Sequence, residues 1–333
     1  MRIIAQWWKA GVVSVVSGLL AFGSSATLLV HAEAPPLQVL GFWANDATSG
    51  LNGLYKYPRS ITWFAPFWYS VDAQGRLINR VDTKILAQVR GHHIPITPLV
   101  NDGTGTQAFL ANSSTQISAA RNIADMVKKE HFQGVCIDFE PPHTSLAKEL
   151  DAFSRDLRDF LPHGSVITMS VVPHSAGAYN WKQLTPEVNQ FVLMSYDQHD
   201  DGSYAGPVAA TPWVQSILAR MERSVPGYKI DLGVAVYGYT WHAGSTKATT
   251  VPFNAVTPTM RSHAKWDTLD QETYATYPSA GGKIVAWWES LQGMNQKINL
   301  AKRDHVAGIA LWHTGYANDA VYQLLLHQIG KQP

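Results

Sequence analysis

The chain has 333 residues, with 26 basic and 25 acidic side chains and a formal charge of +1. That balance, without a basic stripe, excludes nucleic acid as an expected partner. A single cysteine, Cys136, excludes an internal disulfide, and the length suits one large α/β domain behind a short leader.

Arg2 and Lys9 precede an apolar run from Ala10 to Val30, which ends in Val30-His-Ala-Glu-Ala34. Residues 1–34 therefore read as a secretory signal cleaved after Ala32 or Ala34, or as an uncleaved membrane anchor of the same orientation. Either reading delivers residues 35–333 outside the inner membrane, as a periplasmic, envelope-associated or secreted protein. Without Arg2, Lys9 and Glu33 the remainder carries 24 basic and 24 acidic residues. A monomer is expected.

Short apolar runs then alternate with amphipathic stretches. The predicted strands are Leu37–Trp43, Ile61–Pro66, Ile94–Val100, Gly134–Phe139, Ser165–Val172, Phe191–Tyr196, Lys229–Val236 and Val306–Trp312. Several are nearly continuous in Val, Ile and Leu, as parallel strands covered by helices are. Predicted helices are Thr115–Lys129, Ser145–Phe160, Pro212–Arg223, Gln296–Lys302 and Asp319–Ile329. Thr211-Pro212 is a helix start, with Thr as cap and Pro in the first turn. Eight strands with helices between them close most simply into a (β/α)₈ TIM barrel. The long gap before the last strand predicts a small insertion at about 241–289, on the rim that would wall a groove.

The segment from Phe132 to Glu140 carries the strongest chemical signal. Alternation along a strand places Val135, Ile137 and Phe139 on one face, and Cys136, Asp138 and Glu140 on the other. Two acids side by side at the end of an apolar strand need a partner or a task. Further polar and aromatic groups fall at other strand ends: Met194-Ser-Tyr-Asp197 after the sixth strand and Trp312-His313 after the eighth. Twelve tryptophans are present, ten of them past the leader. Those at strand ends, including Trp43, Trp68, Trp241 and Trp312, suit either core packing or stacking on sugar rings.

Glycosidic cleavage needs an acid for the leaving oxygen and something to meet the developing charge at the anomeric carbon. Glu140 beside Asp138 suits the acid, because a buried neighbouring charge keeps a carboxyl protonated. The two alpha carbons are about 6.6 Å apart along one strand. That suits cooperation on one side of a sugar, and hints that the substrate supplies its own nucleophile. No His-Glu-x-x-His, paired cysteine, glycine-rich nucleotide loop or Gly-x-Ser-x-Gly occurs. Neither a metal nor a cofactor is expected.

The run Gln133-Gly-Val-Cys-Ile-Asp-Phe-Glu140 resembles the Asp-Gly-x-Asp-x-Asp-x-Glu signature of glycoside hydrolase family 18. Phe67-Trp-Tyr-Ser-Val71, Pro98-Leu-Val-Asn101, Met194-Ser-Tyr-Asp197, Gly233-Val-Ala-Val-Tyr-Gly238, Trp287-Trp-Glu289 and Gly308-Ile-Ala-Leu-Trp312 resemble segments of the branch that includes spore-cortex and cell-wall N-acetylglucosaminidases. The resemblance implies a (β/α)₈ barrel and retaining, substrate-assisted hydrolysis of β-1,4 bonds next to N-acetylglucosamine. The substrate would be peptidoglycan, chitin or an exopolysaccharide containing that sugar; a poorly catalytic carbohydrate-binding barrel is the rival. Glu140 would be the acid, Asp138 would orient the 2-acetamido group, and Tyr196 would hydrogen-bond it. Asp197 would hold the sugar or Glu140, and Trp312 would floor the reacting ring, with Trp43, Trp68, Met194 and Tyr237 as further substrate-binding residues. Gln133 and Cys136 depart from the signature, which has Asp at both places.

Overall fold

The computed structural model describes residues 37–44, 51–140, 143–175 and 177–329. The predicted leader, residues 1–34, lies outside them. In chain order the strands are β1 (Gln38–Trp43), β2 (Trp63–Val71), β3 (Leu77–Asn79), β4 (Leu99–Asp102), β5 (Gly134–Asp138), β6 (Val166–Val171), β7 (Gln190–Leu193) and β8 (Ile230–Ala235). Then follow β9 (Tyr237–His242), β10 (Ala248–Pro252), β11 (Ala264–Asp267), β12 (Glu272–Ser279), β13 (Gly282–Trp288) and β14 (Gly308–Trp312).

Eight of these strands run parallel in the order β1-β14-β8-β7-β6-β5-β4-β2, and β1 pairs with β2 to close the ring. This is the expected (β/α)₈ barrel, with β3 added antiparallel to β2. Each of the eight predicted strands is present, with shifted ends. The second runs on to Val71, the third starts only at Leu99, and the sixth stops at Leu193. The five predicted helices are found as Ser113–Glu130, Ala147–Phe160, Thr211–Met221, Leu291–Arg303 and Asp319–Ile329.

Alternation divides the barrel's apolar residues into two cores. Leu40, Phe42, Ala65, Leu99, Cys136, Val192 and Ala310 pack inside the ring. Val135, Ile137 and Phe139 belong to the much larger shell between strands and helices. Both faces of β5 are therefore buried as its sequence requires. Gly134 starts that strand because a Cβ there would collide with the carbonyl oxygen of Val166 on β6.

The insertion is a five-stranded antiparallel sheet in the order β10-β9-β13-β12-β11. It begins at Tyr237, four residues before the predicted start, because β9 follows β8 after one residue. Three fully buried ionisable side chains fasten it beside the barrel. Lys297 Nζ lies 2.7 Å from Glu289 Oε2, an ion pair by distance whose angles fall short of a hydrogen bond. Glu272 accepts hydrogen bonds from the backbone N–H groups of Val208 and Ala209 at 2.9 and 2.8 Å. Among the described residues no helix is long and apolar enough to cross a membrane.

Candidate active site

The C-terminal end of β5 carries the acid pair. Asp138 accepts hydrogen bonds from Glu140 and from Ser170 on β6. Burial raises the Asp138 carboxyl while those two bonds oppose the rise. Glu140 is raised well above the ordinary carboxyl range, by burial first, then by the Asp138 charge, their shared hydrogen bond, and Asp197. The two groups titrate as a pair, and the proton rests on Glu140, pointing at Asp138. A carboxylic acid that stays protonated near neutrality beside a carboxylate can donate that proton to a leaving group.

Tyr196 and Asp197 leave β7 by an irregular ledge, since pairing stops at Leu193 and the Ser195 hydroxyl donates to the Gly233 carbonyl at 2.7 Å. Met194 is half-buried on this ledge. Burial pushes the Tyr196 phenol well up, and the charges of Glu140, Asp138 and Asp197 push it further, so it remains a hydrogen-bond donor. Gly233 on β8 makes room for it. A Cβ there would lie 2.6 Å from the Leu193 carbonyl oxygen and 3.0 Å from Tyr196 Cε1.

Asp197 has left-handed backbone, φ 57°, a conformation a short polar side chain tolerates and functional sites often keep. Its Oδ1 accepts from the hydroxyls of Tyr237 at 2.6 Å and Tyr239 at 2.8 Å. Asp197 is exposed to solvent, yet burial is the largest influence on its raised carboxyl. Both hold for a group that water reaches on one side while protein surrounds it on the others. A chain of rings runs from Tyr196 through Tyr237, Tyr316 and His313 to Trp312. Trp312 is half-buried at the end of β14, edge-on to Phe42 with centroids 5.4 Å apart.

Seven of the nine sequence-predicted residues thus gather at one end of the barrel: Glu140, Asp138, Tyr196, Asp197, Trp312, Met194 and Tyr237. Trp43 and Trp68 do not. They are 2% and 0% exposed and pack in the shell against Phe64, with Trp68 also against Phe132. Their neighbours Phe42 and Phe67 take the inward positions, so alternation turns both indoles toward the helices. Three polar neighbours escaped the sequence reading: Ser170, Tyr239 and Asn101. Asn101 lies beside Asp138 in register on β4, and its buried Oδ1 has no hydrogen-bond partner. It lies one residue past the predicted third strand, and alternation from the inward Leu99 was the available signal. Cys136 is fully buried beneath the pair, with Sγ 4.0 Å from Ser170 Oγ. Burial and the Asp138 charge push its thiol well up, so it is an inert filler rather than a nucleophile. Among the described residues no group of three or more His, Cys, Asp or Glu side chains is placed to hold a metal ion.

A (β/α)₈ barrel whose strand ends present a protonated acid beside a carboxylate has the layout of a glycoside hydrolase. The model of the family "Glycosyl hydrolases family 18" matches residues 84–317. The chain belongs to this family. It is similar to the putative sporulation-specific glycosylase YdhD of Bacillus subtilis (strain 168), 27% identical over 234 residues that cover 65% of this chain and 56% of that protein. The chain therefore spans little more than half of that relative's length. Its fold matches the Bacillus cereus spore cortex-lytic enzyme SleL, with a TM-score of 0.80 and 20% identity over 89% of this chain and 75% of that one. It also matches a chitinase from Chromobacterium violaceum ATCC 12472, with a TM-score of 0.81 and 22% identity over 89% of this chain and all of the other.

Proposed function

We propose that this protein hydrolyses β-1,4 bonds next to N-acetylglucosamine in peptidoglycan, with retention of configuration and with the sugar's 2-acetamido oxygen as nucleophile. The observation that carries the reading is the bond between Glu140 and Asp138, two residues apart at the end of one strand. A protein nucleophile would have to approach from the face opposite the acid, and Asp138 shares the acid's face. Asp197, the third carboxyl nearby, already accepts two phenolic hydrogen bonds on Oδ1, which blunts it as a nucleophile.

In the proposed reaction Glu140 protonates the glycosidic oxygen. Asp138 receives the acetamido N–H and orients its carbonyl oxygen toward the anomeric carbon, while Tyr196 donates to that group and Trp312 lies under the ring. Glu140, now a carboxylate, then takes a proton from the water that opens the cyclic intermediate. Peptidoglycan is favoured by the names of the relatives, a sporulation-specific glycosylase and a spore cortex-lytic enzyme, and by the leader-like residues 1–34, which would export the barrel.

The test incubates purified sacculi and chitin oligomers with the wild type and with Glu140→Gln, and identifies the products by mass. Soluble fragments ending in reducing N-acetylglucosamine from sacculi, and about 10²–10⁴-fold less from the variant, are expected. Equal release by both proteins would overturn the acid assignment. Release from chitin oligomers alone would move the substrate to chitin, and binding without products would make the barrel a lectin.

A further inference from the structure

The barrel interior holds a second polar site, at the end opposite Glu140. There Gln38, Trp63, Thr168, Asn189, Gln190 and Asp231 line a cavity of about 140 Å³. Asp231 is 4% exposed, and its Oδ1 has no hydrogen-bond partner. The Gln190 Oε1 is a second buried oxygen without one. Both residues line the same cavity, and one of the two unpartnered oxygens belongs to a carboxyl group.

The surrounding strands bring no positive charge to it. Gln38 comes from β1, Trp63 from β2, Val166 and Thr168 from β6, and Gln190 from β7. On β14 stands Gly308, where a Cβ would lie 2.6 Å from Asp231 Oδ1, so the carboxyl abuts bare backbone on that side. Above lies Cys136, whose buried thiol is a neutral group that the Asp231 charge pushes further up. The Lys229 ammonium donates to the Thr185 and Val188 carbonyls at 2.6 and 2.7 Å, and Arg158, which reaches the cavity-lining Asn189, is committed as well. It donates to the Glu187 carbonyl at 2.6 and 3.0 Å, to the Ser165 carbonyl at 2.8 Å and to Asn189 Oδ1. Asn189 Oδ1 also accepts from the Ile167 N–H at 2.9 Å.

A buried carboxylate without a countercharge is costly, and water in the cavity would hydrate it without neutralising it. The donor set is one carboxylate with neutral side-chain oxygens. Divalent sites of the calcium kind usually gather several carboxylates and six or more oxygens. A single charge among neutral oxygens suits a single positive charge. Space is sufficient, since about 10–15 Å³ holds one water, and an ion can keep part of its hydration shell here.

We propose that this floor cavity binds a monovalent cation, sodium or potassium, through the Asp231 carboxylate and the Gln190 side-chain oxygen. Protons compete with the ion. Burial pushes the Asp231 carboxyl up to about 7, so the site fills as pH rises past that value and empties below it.

The test melts the protein in sodium, potassium and choline chloride at equal ionic strength, at about pH 8 and about pH 5.5, on either side of the raised carboxyl. At the higher pH one alkali salt is expected to raise the melting temperature by about 2–4 °C over choline. The gap should close at the lower pH and be lost in Asp231→Asn. Gln190→Leu should narrow it, which keeps the test available if the first variant does not fold. Crystals soaked in thallium(I) should show an anomalous peak beside Asp231 Oδ1. Identical melting in all three salts, a gap that persists in Asp231→Asn, or a cavity holding water alone would each overturn the proposal.

Discussion

Glu140 keeps its proton because it is buried and because Asp138 is charged beside it, and Asp138 stays charged partly because Ser170 donates to it. Ser170→Ala removes a hydrogen bond to a charged group, worth about 1.5–3 kcal/mol. Without that bond the Asp138 carboxyl rises further. The acidic limb of the pH–rate profile should therefore move to higher pH, with kcat reduced by roughly 10–100-fold. An unmoved limb would show that Ser170 only packs. On the alkaline side, activity should fall as pH rises through the raised Glu140 pKa. Cys136→Asp places a third acid against the pair and should carry that alkaline limb higher still, as a pH profile would show. The pair was legible in the sequence because alternation alone puts two acids on one face of an apolar strand. Ser170 was not, since a single serine on a strand says nothing about the carboxylate that will stand opposite it.

Strands place this site more through where they stop than through where they run. β7 stops at Leu193, and that break lets Tyr196 and Asp197 turn over the barrel mouth, with Gly233 giving way beneath Tyr196. Gly233→Ala should press on the Leu193 carbonyl and the Tyr196 ring. Activity is expected to fall at least tenfold, with kcat affected more than KM, while the circular dichroism spectrum is retained. All eight barrel strands could be read because they are apolar runs bounded by turns. The short helices Leu51–Lys56 and Trp181–Glu187 could not, as one contains Gly53 and the other Pro186, which argue locally against helix. Trp43 and Trp68 were misread for a different reason. A place at a strand end does not fix which face a side chain takes, and the inward positions beside them belong to Phe42 and Phe67.

At the level of the whole molecule, the barrel and its insertion meet through buried charge. Burial pushes Glu272 up to about 8, with the Lys297 charge opposing and the Glu289 charge assisting. One carboxyl of the three-residue cluster thus holds a proton while Lys297 and Glu289 balance each other. Lys297→Met leaves Glu289 buried without its cation, which typically costs about 3–5 kcal/mol; adding Glu289→Gln should recover much of the lost melting temperature. The insertion could be anticipated from the length of its segment, but this cluster joins residues far apart in the sequence. Several buried carboxyls share the same sign. Glu272, Asp231 and Glu140 all have raised values in the folded protein, so folding takes up protons between about pH 4 and pH 8 and stability falls as pH rises across that window. Melting temperatures in choline chloride should therefore decline from about pH 5 to about pH 8. The central claim, that the sugar supplies the nucleophile to a barrel offering one acid and one orienting carboxylate, is tested most directly by comparing kcat/KM for a fully N-acetylated oligomer with that for its deacetylated counterpart. Cleavage confined to the acetylated oligomer is predicted; equal rates on both, or a trapped glycosyl ester on Asp138 or Asp197, would contradict it.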